Sequence, residues 1–290
     1  MSLFDAGAEI ALGSFQTPYT PALKVRIDTF EQCGGVTAGS GPTVGTILNG
    51  ASYVGGSVTP LSWIAIKGAN LAQTTRIWEV RDFVSGNLPT RLDDVSVSIG
   101  GKAAYVYFVS PTQINVLVPG TVSRGVVTVE ITTSKGKSGS VSVNIEDVAP
   151  GLFLFYPQEN RYVAAVHLDG TYVGPSDLLG PDIRTAPARA GGIISLYATG
   201  VGPLERTIPE GPILSIPVPL LNLPVVTIGG FPAEVLYAGM TSNGLIQINV
   251  RVPDVISIGN IPVGRLPVGD NAVWIGTYTS QTGAYLFVDR

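Results

Sequence analysis

Only one imidazole is available for chemistry in the 290 residues, that of His167, and Asp169 and Gly170 stand close behind it. An imidazole beside a carboxylate could serve a nucleophilic serine. The chain has no Gly-x-Ser-x-Gly elbow, however, and a turn beginning at Asp169 accounts for the neighbourhood. His167 and Cys33 are also the whole supply of soft metal ligands, too few for a structural zinc site. These residues describe a chain that is no enzyme and holds no metal or cofactor. Asp93, Asp94, Asp177 and Asp182 occupy turn-prone loop positions. Solvated caps or weak Ca²⁺ ligands are there weighed against a carboxylate pair for glycoside hydrolysis. Phosphate cradles fail as well. Ala198-Thr-Gly-Val-Gly-Pro203 opens like a dinucleotide fingerprint, but Pro203 interrupts the helix that must follow; Gly136-Lys-Ser138 lacks its leading glycine, since position 131 is Ile. The first reads as a turn and the second as a hairpin tip.

Binding chemistry is better supplied. Gln113-Ile-Asn115 and Gln247-Ile-Asn249 each place two amides on one face of a strand, because alternate strand residues point the same way. Such pairs could hold sugar hydroxyls or tie down loop backbone. Trp63 and Trp274 lie inside apolar strand patterns and read as core. Trp78, in Thr75-Arg-Ile-Trp-Glu-Val-Arg81, has charged neighbours and is the candidate for glycan contact, with Tyr162 and Tyr172 as loop partners. Its alternative is a rim residue covering a sandwich end. Cys33 permits no internal disulfide and is a candidate intermolecular thiol.

The elements that must position these residues are strands. Val95-Ser-Val-Ser-Ile99, Val126-Val-Thr-Val-Glu-Ile-Thr132 and Val141-Ser-Val-Asn-Ile145 alternate at period two between turn formers. No stretch of ten residues keeps a helical period free of Gly and Pro, although a short helix is expected near Ser2–Leu12. An internal repeat is the most informative feature. Val97-Ser-Ile-Gly-Gly101 returns as Val226-Thr-Ile-Gly-Gly230, Gln113-Ile-Asn-Val-Leu-Val-Pro119 as Gln247-Ile-Asn-Val-Arg-Val-Pro253, and Trp63-Ile-Ala-Ile66 aligns with Ile193-Ile-Ser-Leu196. The offset is 129 residues at Val97/Val226 and 134 at Gln113/Gln247, so the second copy carries five extra residues before its last strand. Two copies of roughly 100 residues, with turns every 8–12, fit two tandem immunoglobulin-like β-sandwiches better than a propeller, which needs about four or more blades. The expected units are 1–45, an N-terminal extension, then 46–148 and 149–290. The short junction Asp147-Val-Ala-Pro-Gly-Leu-Phe153 suggests a fairly fixed angle between the sandwiches.

At these residues the sequence resembles the two-domain Ig-like module, related to IPT/TIG domains, found at the C-termini of secreted proteins of acidobacterial type. The matching stretches include Asn49-Gly-Ala-Ser-Tyr53, Val109-Ser-Pro-Thr-Gln-Ile-Asn-Val116, Ala149-Pro-Gly-Leu-Phe153, Leu196-Tyr-Ala-Thr-Gly-Val-Gly-Pro203 and Gln247-Ile-Asn-Val-Arg-Val-Pro253. The likeness runs from about residue 47 to the end. It implies an extracytoplasmic, non-catalytic β module and brings no ligand residues with it. Two features depart from the pattern: only some 45 unmatched residues lead in, and Leu204–Pro224 carries prolines at 209, 212, 217, 219 and 224.

Charge narrows the partners. Charged residues make up 13% of the chain, about half the usual share, and the net charge is −4 with scattered basic groups, which gives no footprint for nucleic acid. Mean hydropathy is +0.34, yet no apolar run reaches the ~20 residues of a membrane span. Asp5 and Glu9 stand where a signal peptide would be basic, so the chain is expected either to stay inside or to be a mature end. The reading that joins these observations is an extracellular or cell-surface structural or adhesive protein. It self-associates through sheet edges, with the strand at Leu23, Val25, Ile27, Thr29 and Phe30 entering a neighbouring sandwich to build a filament. The alternative is a carbohydrate-binding surface module.

Overall fold

Both copies of the Val-x-Ile-Gly-Gly motif fold into the same hairpin. Ile99 pairs with Lys102 and Ile228 with Phe231, leaving Gly100-Gly101 and Gly229-Gly230 as two-residue turns with φ of +57° and +76°, and +61° and +84°. Positive φ at both central positions defines a type I′ turn, whose twist suits paired strands and which glycine adopts without strain. The computed structural model describes residues 8–11, 24–27, 41–156, 160–258, 261–276 and 281–289. The chain is all-β, and among the described residues the one helical element is the 3-10 turn Val80–Asp82.

In the N-terminal sandwich the first sheet runs Thr43–Asn49, Trp63–Ala69, Gln113–Leu117, Tyr105–Val109, Arg76–Ile77. The second is built on Gly125–Thr133, with Val95–Ile99 on one side and Val141–Ile145 on the other. Their alternating apolar residues, among them Ile64, Ile66, Val116, Val97, Val129 and Ile131, close over one core. Ser134-Lys135 forms the expected hairpin tip, Thr133 pairing with Gly136.

The C-terminal sandwich repeats this plan. Ile193–Thr199 and Leu245–Arg251 pair like Trp63–Ala69 and Gln113–Leu117. The twelve-residue strand Phe231–Ser242 serves both layers, pairing first with Val226–Ile228 and then with Leu245–Arg251. A register shift between Val235 and Tyr237 lets it bend from one layer to the other, since a bulge leaves the strand kinked. Leu196, Ile248, Val226, Val273 and Leu286 lie in this second core.

The N-terminal extension departs from expectation in one respect. Ala8–Ala11, placed in the expected helix, is a strand paired antiparallel with Lys24–Ile27. A helix so short is marginal in water, whereas an extended segment gains ladder hydrogen bonds from any partner strand. The strand expected from Leu23 is present as Lys24–Ile27; Leu23, Thr29, Phe30 and Cys33 lie outside the described residues.

Candidate functional site

The outer face of the first sandwich's five-stranded sheet carries aromatic rings where solvent-facing polar groups would be usual. Leu117 lies across from Trp63 on one side and Tyr105 on the other. A register shift between Asn115 and Val116 turns both Tyr107 and Phe108 toward this face. These side chains pack with Phe153, Phe155, Val166, Tyr197 and Leu245 of the second sandwich, forming a third apolar cluster at the seam between the two. Trp63 is 2% exposed. The sequence pattern marked it correctly as buried, but its ring fills the seam and not a sandwich core. Burial also pushes the Tyr197 hydroxyl well above its ordinary pKa.

Polar contacts fix the register of the seam. The Trp63 N–H donates to Thr199 Oγ1 (3.0 Å), the Thr199 hydroxyl donates to the Gly244 carbonyl (2.7 Å), and the Trp63 indole N–H donates to the Asn243 carbonyl (2.9 Å). Asn243 and Gly244 are the tip of the hairpin lengthened by the five extra residues of the second copy, so the insertion is the piece that reaches the first sandwich. The Asn49 side chain donates to the Ala149 carbonyl (3.0 Å) while its oxygen accepts the Ala51 and Ser52 amides, which explains the Asn-Gly-Ala-Ser stretch as a junction clip.

The proline-rich segment Leu204–Pro224 is a strap across the seam. The Leu88 N–H donates to the Gly211 carbonyl (2.7 Å) and the Ile213 N–H to the Gly86 carbonyl (3.1 Å), tying the second sandwich to a loop of the first. Asn243 braces the strap from beneath, donating to the Pro212 carbonyl (3.1 Å) and accepting the Leu214 amide (2.8 Å). Further on, Val218–Pro219 caps the edge of Phe231–Ser242, where Pro219 has no N–H to offer a further strand. Beside the strap lies a cleft of about 210 Å³ whose walls include Leu61, Arg124, Asp147, Arg206 and Glu210. Most of its charge is engaged: Arg124 pairs with Asp147 at 2.6 Å, and Glu210 accepts the Thr121 amide.

The two amide pairs bond internally. Gln113 Nε2 donates to Asn115 Oδ1 (2.7 Å) and Gln247 Nε2 to Asn249 Oδ1 (2.8 Å). In the second copy Ser195, directly across from Asn249, adds a hydroxyl donated to Asn249 Oδ1 (2.8 Å). Ala65 stands across from Asn115 in the first copy, and there Gln113 Oε1 and Asn115 Nδ2 are buried without a protein partner. A buried amide group left so costs about 1–3 kcal/mol. The hydroxyl of Ala65→Ser, placed as in the second repeat, would meet Asn115 Oδ1, which already accepts from Gln113 Nε2, so both orphaned atoms stay as they are and stability is expected to change by less than about 1 kcal/mol in urea denaturation.

Trp78 does not stand free. It is half-buried, with Tyr107 at 4.8 Å, Phe83 at 5.1 Å and Trp63 at 5.9 Å between ring centroids. Its loop is held by Arg76, which bonds Asp82 through two nitrogens (2.8 and 3.0 Å) and Asp93 at 2.7 Å. Asp93, weighed above as a cation ligand, is thus committed to Arg76 and Thr74. Hydrogen bonds from Arg76 hold both carboxyls below their ordinary pKa, and Asp82 and then Asp93 push the guanidinium up. A carboxyl depressed in the folded state stabilises fully above the unfolded value of about 3.9, and that contribution disappears as the pH falls through the folded value. Arg76→Ala is expected to cost about 2–3 kcal/mol at pH 7 and distinctly less at pH 3, measured by urea titration at both.

The remaining candidates are dispersed. Asp169 accepts the Thr171 amide (2.9 Å), which lowers its pKa and closes the expected turn, while His167 Nε2 sits 3.1 Å from the Ala186 carbonyl. Asp177 and Asp182 are exposed. Among the described residues no three His, Cys, Asp or Glu side chains gather as a metal site, and no helix is long and apolar enough to cross a membrane. Trp274 corrects the reading of it as core: it is 36% exposed, because Val273 and Ile275 take the inward positions of its strand. Tyr172 meets Phe155 edge-on at 5.6 Å.

The fold and the seam define an all-β protein of two Ig-like sandwiches packed face to face. Residues 56–146, within the first sandwich, match the IPT/TIG domain family. No curated protein matches the chain. Among solved structures it is similar to Bacteroides ovatus mixed-linkage glucan utilization locus SGBP-B in complex with a mixed-linkage heptasaccharide (14% identity, 81% of this chain and 40% of that one, TM-score 0.28). The full extracellular region of plexin A4 (14%, 86% and 18%, 0.27) and domains 5–6 of the S-layer protein SbsC (14%, 85% and 98%, 0.23) are also similar. The chain spans two fifths or less of the first two, and likenesses this remote do not bear on ligand or partner.

Proposed function

We propose that the chain is a non-catalytic structural or adhesive module working outside the cell, in which the two sandwiches act as one rigid body and the N-terminal extension joins neighbouring copies. The observation that carries the reading is the seam: an aromatic cluster, an inserted hairpin tip and a proline strap all spend sequence on holding two β-sandwiches at one angle. A catalytic or allosteric protein gains from relative motion of its domains; a load-bearing one gains from its suppression. The reading takes units 46–148 and 149–290 as one exported module of acidobacterial type, supported by the likeness that runs through both copies. The joining element is the ribbon of Ala8–Ala11 and Lys24–Ile27, each strand of which has one edge without a strand partner among the described residues. Residues 23–30 would then add to a sheet edge of the next copy, with Val25 and Ile27 as its plug positions, and Cys33 would be able to crosslink the joint. A head-to-tail contact that does not close gives a filament.

Deleting residues 1–45 and comparing both proteins by size-exclusion chromatography and negative-stain microscopy tests the joint. Filaments or oligomers that vanish with the deletion support it. A full-length protein that stays monomeric at high concentration removes the assembly role. Small-angle scattering tests the rigid body separately, and a profile that needs many inter-sandwich angles sinks it.

A further inference from the structure

Trp274 opens a face used by neither the seam nor the strap. In the second layer of the C-terminal sandwich, Val226, Ile228, Val273, Ile275, Leu286 and Val288 point into the core. Their neighbours Thr227, Trp274, Tyr285 and Phe287 therefore point outward, Trp274 the most exposed of the aromatic rings. Tyr285 lies across from Ala272 and Phe287 across from Asp270, so the rings of Trp274, Tyr285 and Phe287 step over two adjacent strands at intervals of about 7 Å. Tyr162 extends the row. It meets Phe287 edge-on at 6.3 Å and donates its hydroxyl to Asp270 Oδ1 at 2.8 Å; burial, and then this contact, pushes its pKa up to about 12.

We propose that this face binds a neutral polysaccharide chain. Aromatic rings in a row present apolar surface to the C–H faces of successive sugars, and the Asp270 carboxylate and the Tyr162 and Tyr285 hydroxyls stand among them as hydrogen-bonding groups for sugar hydroxyls. Charge selects within the class: the exposed charge set among the rings is the Asp270 carboxylate, while Asp289 at the strand end lies across from Arg189, so the face offers no run of basic groups to hold a polyanion. A purely apolar docking partner would have to bury the Asp270 carboxylate with only the Tyr162 hydroxyl to offset its charge, a cost that a hydroxylated ligand avoids. The ligand is additional to the structural role above and does not depend on the N-terminal ribbon.

The test is native affinity electrophoresis of the full chain in gels containing hydroxyethylcellulose, glucomannan or, as the anionic control, polygalacturonate. Retardation by a neutral polymer and not by polygalacturonate is expected. Trp274→Ala should weaken it at least tenfold with an unchanged urea unfolding curve, while Trp78→Phe retains it. The proposal falls if neither neutral polymer retards the folded protein, if polygalacturonate retards it as strongly, or if Trp274→Ala binds like the wild type. It falls equally if sedimentation velocity shows a wild-type dimer that Trp274→Ala converts to monomer, since the face would then be occupied by a second copy.

Discussion

Trp63→Ala lowers the stability of the whole chain by about 3–5 kcal/mol, the range for deleting a fully buried indole, and it does so at the seam and not within a sandwich. The indole touches Trp78 and Tyr107 edge-on and gives its N–H to the Asn243 carbonyl, so its loss leaves a cavity and a carbonyl without that donor. The two sandwich cores, closed over Ile64, Ile66 and Val116 in the first and Leu196, Ile248 and Val273 in the second, keep their own packing. The expected signature is therefore split: a single urea transition in the wild type becomes two, and the scattering radius grows before either core melts. One unchanged transition with a small loss of stability would show that the seam is not where the halves are coupled.

Gly244→Ala has the next largest effect, about 2–5 kcal/mol from strain and overlap together. Gly244 adopts φ of +75°, where a Cβ adds roughly 1–2 kcal/mol of backbone strain. A Cβ there would also lie 2.5 Å from both Leu117 Cδ1 and Trp63 Nε1, an overlap that costs about 1–3 kcal/mol more once neighbours shift. The two contributions can be separated. In the Trp63→Ala background half of the overlap is gone, so the cost of Gly244→Ala should fall by about 0.5–1.5 kcal/mol, leaving mainly the strain and the Leu117 contact. Strictly additive costs in the double-mutant cycle would rule out the direct contact as the cause.

Much of the fold was legible because the repeat is local chemistry written twice. Ile-Gly-Gly followed by alternating apolar residues can do little but form a type I′ hairpin, and the Gln-Ile-Asn strands carry their core residues at every second place. The seam was not legible for a specific reason. Trp63-Ile-Ala-Ile and Ala272-Val-Trp-Ile have the same continuous apolar pattern, which marks a strand covered on both faces without saying what covers it. In the first the second cover is another sandwich; in the second none stands among the described residues, and Trp274 is left partly in solvent. Trp78 was ambiguous in another way, since its charged neighbours Arg76 and Glu79 fit either a glycan contact or a rim residue, and what the pattern does not carry is that Arg76 fastens the loop holding the half-buried ring in place. The five extra residues and the five prolines were visible as irregularities. Their common destination, more than a hundred residues away in sequence, lies beyond what local pattern encodes.

The strap and hairpin tip also set an order of events while the protein is being made. The first sandwich has all its strands by Ile145, yet the cover for Trp63, Tyr107 and Phe108 comes from residues between Phe153 and Leu245. A chain emerging from its N-terminus therefore displays a finished domain with an aromatic face bare to its surroundings for as long as the next hundred residues take to appear. Patches of that kind attract partners indiscriminately. Truncated products ending between the sandwiches should be the most aggregation-prone forms of this chain, and a cell that produces it in quantity has reason to keep it bound to a holdase until residue 245 has passed.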